Sequence, residues 1–196
     1  TVGSIIKIRE NGTMVDFYVA CHNYEQSLNG AGRTLLVRKD CYDIRNWNNG
    51  KNTYSSSIID DWLNSTYKNL LDADIRTAIG MTKFYYTVGG GDSSITTLSR
   101  AVFLLSMAEL DHYGSFGMNT EGSTLPIAST LNIAYLDGEP KSQWTRTPYF
   151  KNSTNVFRVS YEGYGSSWNS NVENGSRPAF TLPATAIVND SGEVTA

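Results

Sequence analysis

The segment Trp144–Pro183, WTRTPYFKNSTNVFRVSYEGYGSSWNSNVENGSRPAFTLP, decides how the chain is read. It opens and closes on the same device, an arginine beside a proline: Arg146 ahead of Thr147-Pro148, and Arg177 directly before Pro178. Proline fixes φ and has no N–H to give to a ladder, so Pro148 and Pro178 are expected at strand edges or turns. Arginine carries five donors, enough to satisfy loop carbonyls and carboxylates. Arg146 and Arg177 therefore read as loop braces, with a ligand-binding role left open. Between them, Asn155–Tyr161 and Ser167–Glu173 read as a hairpin around Gly163 and Gly165, and Ala179–Leu182 as a strand. Trp144, Phe180 and, upstream, Trp62 are expected in the core.

The middle of this segment is also where binding chemistry concentrates. In residues 151–176, Asn, Ser and Tyr fill 13 of 26 positions, with Phe157, Tyr161, Tyr164 and Trp168 interleaved. Tyrosine and tryptophan give large contact area at low entropic cost, and Ser and Asn give adaptable hydrogen bonds. Tyr161, Tyr164, Trp168, Asn169 and Asn171 are the candidate ligand-binding residues. The same composition suits an ordinary polar hairpin rich in turn residues, and both readings stand at this point.

Working outward, Ser4–Arg9 and Val15–Cys21 read as strands joined by an Asn11-Gly12 turn, with Leu35–Lys39 as the third. Ile58, Ile59, Trp62, Leu63, Tyr67, Leu70 and Leu71 recur at helical spacing behind a cap at Ser55, Ser56 or Ser57, with Asp60, Asp61, Asn64 and Lys68 on the other face. Asp72 to Gly80 reads as a second, short helix. Lys83–Val88 and Val102–Leu105 read as strands, Gly89-Gly90-Gly91 as a flexible turn, and Ser106 with Glu109 has capping-box spacing for one more short helix. Asp111–Thr130 reads as a long structured loop. The expectation is one α+β domain over residues 1–196, with two helices, mixed antiparallel sheets and long structured loops. In the early hairpin Cys21 should face about Leu35, which puts Cys41 some 20 Å farther along at strand rise. A disulfide needs Cα atoms within about 7 Å, so two free, buried thiols are expected.

The bulk numbers narrow the class. Charged residues are 18 % and the net charge is −3. No run of Lys and Arg exists, so no nucleic-acid partner is expected. No apolar run approaches the roughly 18 residues of a membrane helix, so no membrane insertion is expected. No signal-peptide pattern is read at the N-terminus, which leaves release by lysis as the compatible route outside the cell.

Three segments together carry a resemblance: SIIDDWLNSTYKNL (Ser57–Leu70), VFLLSMAE (Val102–Glu109), and the run from AYLDG (Ala134–Gly138) through WTRTPY (Trp144–Tyr149) to GSRPAFTLP (Gly175–Pro183). The set resembles an uncharacterised domain family of Firmicutes and their phages, marked by W-x-R-[ST]-P-Y and G-x-R-P-A-[FL]-x-L signatures. An Arg-containing strand, a variable stretch and a closing G-x-R strand also look like the C-type-lectin-like fold of formylglycine-generating enzymes and phage tropism determinants. That resemblance implies a phage virion protein, attached to capsid or tail, that displays a variable-type surface toward the host. Its implied partners are other virion proteins, copies of itself in the particle, and a host cell-surface glycan or protein. Its implied place is the virion surface, or outside the cell after lysis. A purely structural decoration protein and a bacterial surface glycan-binding module are the alternatives.

Enzymatic readings find little support. Lectin calcium sites resemble E-P-N followed by W-N-D; here Lys141 follows Glu139-Pro140, and Ser170 follows Trp168-Asn169, removing oxygen ligands that calcium needs. Formylglycine-generating enzymes use cysteines in the C-terminal half, and none follows Cys41. YGSFG (Tyr113–Gly117) is no nucleophile elbow, and two histidines make poor material for a zinc site. Asp60 and Asp61, about 100° apart on a helix, read as a solvated face rather than a glycosidase pair. No cofactor, no metal and no catalytic residue are expected.

Overall fold

The computed structural model describes residues 1–112 and 120–195. YGSFG, at Tyr113–Gly117, lies outside the described residues. The chain folds into mostly sheet with few helices. The first sheet has the order β1-β2-β3-β14-β7, built from Ile5–Glu10, Thr13–His22, Arg33–Arg38, Ala179–Pro183 and Val102–Phe103. The second has the order β12-β11-β10-β13-β4, built from Gly165–Asn169, Asn155–Val159, Gln143–Pro148, Glu173–Ser176 and Asp43–Asn46. Three hairpins complete it: β5 (Thr82–Gly89) with β6 (Asp92–Arg100), β8 (Ala134–Leu136) with β9 (Glu139–Lys141), and β15 (Ile187–Val188) with β16 (Val194–Thr195). The helices are α1 (Gln26–Asn29), α2 (Ile58–Ser65), α3 (Ala73–Ile79) and α4 (Ala128–Leu131). No helix among the described residues is long and apolar enough to cross a membrane.

The Asn11-Gly12 turn forms with both residues at positive φ, and Cys21 faces Leu35 as the hairpin reading required. Both cysteines are free; Cys41 is buried, whereas Cys21 is only partly so. The late hairpin needs correction. Its second strand is β12, ending at Asn169, and Glu173–Ser176 is a separate strand that crosses to the far side of β10. The crossing depends on a missing side chain: a Cβ on Gly175 would sit 2.4 Å from Cys41 Sγ and 2.9 Å from the Ser142 carbonyl. β6 was not expected at all, since its Ser and Thr lack an apolar alternation. Gly89-Gly90-Gly91 is the tight turn of the β5–β6 hairpin, all three at positive φ.

Ser57 caps α2 as expected, its hydroxyl accepting from the Asp60 N–H at 3.2 Å. The polar face of α2 is not solvated, however. Asp60 is buried and forms a two-oxygen pair with Arg100 Nε at 2.8 and 3.0 Å. Asn64 accepts from the N–H groups of Ala101 and Val102 and donates to the Val102 carbonyl at 3.0 Å. Its amide so substitutes for a neighbouring strand and pins α2 to β7. Trp62 is at the core margin rather than inside it, with the Arg45 guanidinium 3.2 Å from its ring centroid. Ser106 and Glu109 exchange the two reciprocal bonds of a capping box, at 2.8 and 3.1 Å, yet the chain makes turns there and not a helix. The Glu109 carboxylate is already committed to an arginine, described next.

Candidate functional site

Two polar assemblies stand out, one buried and one exposed. At the buried one, Arg146 on β10 and Glu109 are both 0 % exposed and pair at 2.7 and 3.0 Å. The remaining Arg146 donors reach the carbonyls of Tyr85, Leu104 and Glu121, and its guanidinium lies 4.7 Å from the Phe84 ring. All five N–H groups are used. Tyr24 donates to Glu109 at 2.5 Å. Glu121 is also buried, and among the described residues its carboxyl accepts from the Thr147 hydroxyl and the Thr87 N–H. Burial, only partly offset by Arg146, holds the Glu121 carboxyl above the usual carboxylate range. Arg177 is buried too and donates to the carbonyls of Arg38, Lys39 and Leu131. It forms no ion pair among the described residues, and burial, only partly offset by neighbours that include Asp40, pulls it below the usual guanidinium value. Both arginines are buried and brace loop carbonyls from inside the fold. Pro148 ends β10, and the carbonyl of Pro178 accepts from Arg38 at the entry to β14.

The exposed assembly is the β11–β12 hairpin at the edge of the second sheet. Tyr161, Tyr164 and Trp168 are 56 %, 69 % and 49 % exposed, while Phe157 between them is buried. Tyr161 and Tyr164 lie in the connecting loop; its Ser160 and Gly163 N–H groups are bonded to Tyr164 and Ser160 carbonyls. Trp168 faces Val156 across the ladder, and the Arg158 guanidinium stacks 4.5 Å from its ring centroid. Asn169 is half-buried, and Asn171 is exposed one turn farther. The register puts Trp168, Arg158, Trp144, Asn174 and Arg45 on one face of the sheet. Trp144 is core, its indole donating to the Arg45 carbonyl at 3.0 Å. Arg158 and Asn174 were not singled out from sequence. Arg158 donates to Ser166 Oγ and, at 2.5 Å, to Asn174 Oδ1, and among the described residues no carboxylate pairs with it. Burial lowers its pKa from the usual guanidinium value. The Asn174 amide nitrogen is buried with no hydrogen-bond partner.

An apolar groove of about 350 Å³ lies between the first sheet and the C-terminal hairpin, lined by Ile6, Val19, Leu36, Leu182 and Val188. His22 stands in its wall, within 2.9 Å of the Thr34 hydroxyl. Among the described residues no cluster of three or more His, Cys, Asp and Glu side chains is placed to hold a metal ion. The lectin-like calcium positions are also apart in topology, Glu139-Pro140-Lys141 on β9 and Trp168-Asn169 on β12.

Residues 31–184 match the family described as Domain of unknown function (DUF6273). The chain belongs to this family. In this DUF6273 domain the match runs from just ahead of β3 to just past β14, two strands that pair with each other. The matched unit thus closes on itself, and contains both the Arg146 cluster and the β11–β12 edge. No curated protein and no solved structure matches the chain.

Proposed function

We propose that this DUF6273 domain is a non-catalytic binding module of C-type-lectin-like architecture, carried on a phage particle, whose β11–β12 edge holds a carbohydrate of the host cell surface. One observation carries the reading: three large aromatics, Tyr161, Tyr164 and Trp168, stand exposed on a hydrogen-bonded edge hairpin whose other aromatic, Phe157, is buried. Rings held out of the core gain free energy only when a partner covers them, and binding energy concentrates in Trp, Tyr and Arg. Three carboxylates are held by the fold itself. Glu109, Glu121 and Asp60 are buried in structural bonds. The particle setting, attachment to other virion proteins and self-association there follow from the phage resemblance of the W-x-R-T-P-Y and G-S-R-P-A-F-T-L segments.

The test is binding of the isolated domain to host cells and to an array of their surface glycans. Wild-type protein binds. Replacing Tyr161, Tyr164 and Trp168 together with Ala abolishes binding and leaves the melting temperature nearly unchanged. Replacing Trp144 with Ala instead costs about 3–5 kcal/mol of stability, since that ring is core. A triple variant that unfolds would assign these rings to the fold. A wild-type domain that binds neither cells nor glycans would leave a purely structural decoration role.

A further inference from the structure

The face of the second sheet that carries Trp168 holds a charge, Arg158, that no carboxylate pairs with among the described residues. Arg158 stacks on Trp168 through one guanidinium face and spends Nε on Ser166 and one Nη1 hydrogen on Asn174. Its Nη2 makes no hydrogen bond within the described residues. Three strands away Arg45 shows the contrast: it stacks on Trp62 in the same way, but Asp43 neutralises it. The Asn174 amide lies opposite Arg45 in the ladder and beside Arg158, with its Nδ2 donor unsatisfied. A buried donor without an acceptor costs free energy, and a free guanidinium edge is a two-pronged fit for a carboxylate.

We infer that the Trp168 face takes a carboxylated sugar, a uronic acid or similar acidic pyranose, with its carboxylate on the free edge of Arg158 and its ring against Trp168. The inference rests on the carbohydrate reading above and adds the charge of the ligand. A planar carboxylate matches the planar fork of Arg158, and the apolar C–H groups of a pyranose suit the exposed edge of the Trp168 ring on which Arg158 stacks. The net charge of −3 makes this local: the protein as a whole does not attract anions, so the preference must come from Arg158.

The experiment titrates the intact domain with three probes: a glucuronic-acid-containing oligosaccharide, the same oligosaccharide with its carboxyls reduced to alcohols, and a glycerol-phosphate oligomer. Affinity is read by calorimetry, and position by the Trp168 indole resonance. The acidic oligosaccharide binds about tenfold or more tightly than its reduced form, as one charge-assisted pair implies. Arg158→Gln removes that ratio without removing the weaker binding of the reduced form; Arg158→Lys keeps part of it. Equal binding of acidic and reduced forms at Trp168 overturns the charge assignment and leaves the carbohydrate reading intact. Preference for the glycerol-phosphate oligomer overturns the carboxylate. Acidic binding that leaves the Trp168 resonance unmoved, or that Arg158→Gln does not change, overturns the site. Host-cell binding without response to any of the three probes overturns this inference alone; absence of both overturns it together with the reading it rests on.

Discussion

Replacing Arg146 with Met removes a guanidinium that is 0 % exposed and strands everything it holds. Glu109 keeps only the Tyr24 hydroxyl and the Ser106 N–H, and the carbonyls of Tyr85, Leu104 and Glu121 each lose a donor. Breaking one side of a buried pair costs about 3–5 kcal/mol, because the remaining charge stays buried and uncompensated. Single domains have about 5–15 kcal/mol to lose, so the variant folds marginally or not at all. With a urea slope of about 2 kcal/mol/M, the midpoint should fall by about 1.5–2.5 M. Arg146→Lys keeps the charge but has three donors for five acceptors, and should lose about 2–3 kcal/mol through the two acceptors left bare. Combining Arg146→Met with Glu109→Gln removes the stranded carboxylate, so the double variant should be less destabilised than the sum of the singles by at least about 2 kcal/mol. Urea unfolding followed by circular dichroism and tryptophan fluorescence measures all four. A midpoint drop under about 0.5 M for Arg146→Met, or strictly additive losses, would refute the cluster as the centre of the fold.

Gly89 sits at φ +77° with an ideal Cβ 2.2 Å from the Asn52 carbonyl, so Gly89→Ala should cost at least about 2 kcal/mol by thermal unfolding, whereas Gly91→Ala meets no atom within 4 Å and pays only the strain of its positive φ. Burial raises Glu121 above the ordinary carboxyl value, so its contribution to stability is full below that value and drains away as pH rises through the folded value. Glu121→Gln should therefore flatten the decline in stability above about pH 4.5, read as urea midpoints across pH; an unchanged slope would place the titration elsewhere. Burial pushes the Cys21 thiol up to about 12 and Cys41 to about 11, so neither should react with a thiol reagent at pH 8 in the folded protein, and both should react after unfolding without reductant.

The parts of the fold that local chemistry dictates were readable: the Asn11-Gly12 hairpin with Cys21 against Leu35, a serine cap on α2, and prolines at the end of β10 and just ahead of β14. What escaped was decided by partners far along the chain. Asp60 and Asn64 have the spacing of a wet helix face, but Arg100 and the backbone of β7 lie against them and make them internal. Glu173–Ser176 has no apolar period to separate it from β12, and only the close approach of Gly175 to Cys41 explains where it goes. The capping-box pair Ser106–Glu109 forms without its helix, and its carboxylate is shared with Arg146, 37 residues away, a partner that no local pattern announces. The exposed trio was legible because Tyr and Trp amid Ser and Asn are unlike a core strand. Arg158 was not, since one arginine in a hairpin carries no sign that its counter-charge is missing.

The central claim is that the β11–β12 edge is where the domain meets its ligand, and the four tryptophan indoles report on it directly. Trp47 donates to the Thr145 carbonyl at 2.9 Å and Trp144 to Arg45 at 3.0 Å, both inside the protein, whereas Trp168 is half in solvent. Nitrogen–proton correlation spectra of the domain, recorded while host cell-wall glycan is added, should show the Trp168 indole peak moving with ligand concentration and the Trp47 and Trp144 peaks standing still. A Trp168 peak that stays in place while the glycan binds, or movement confined to the buried indoles, would contradict the assignment of this edge as the binding surface.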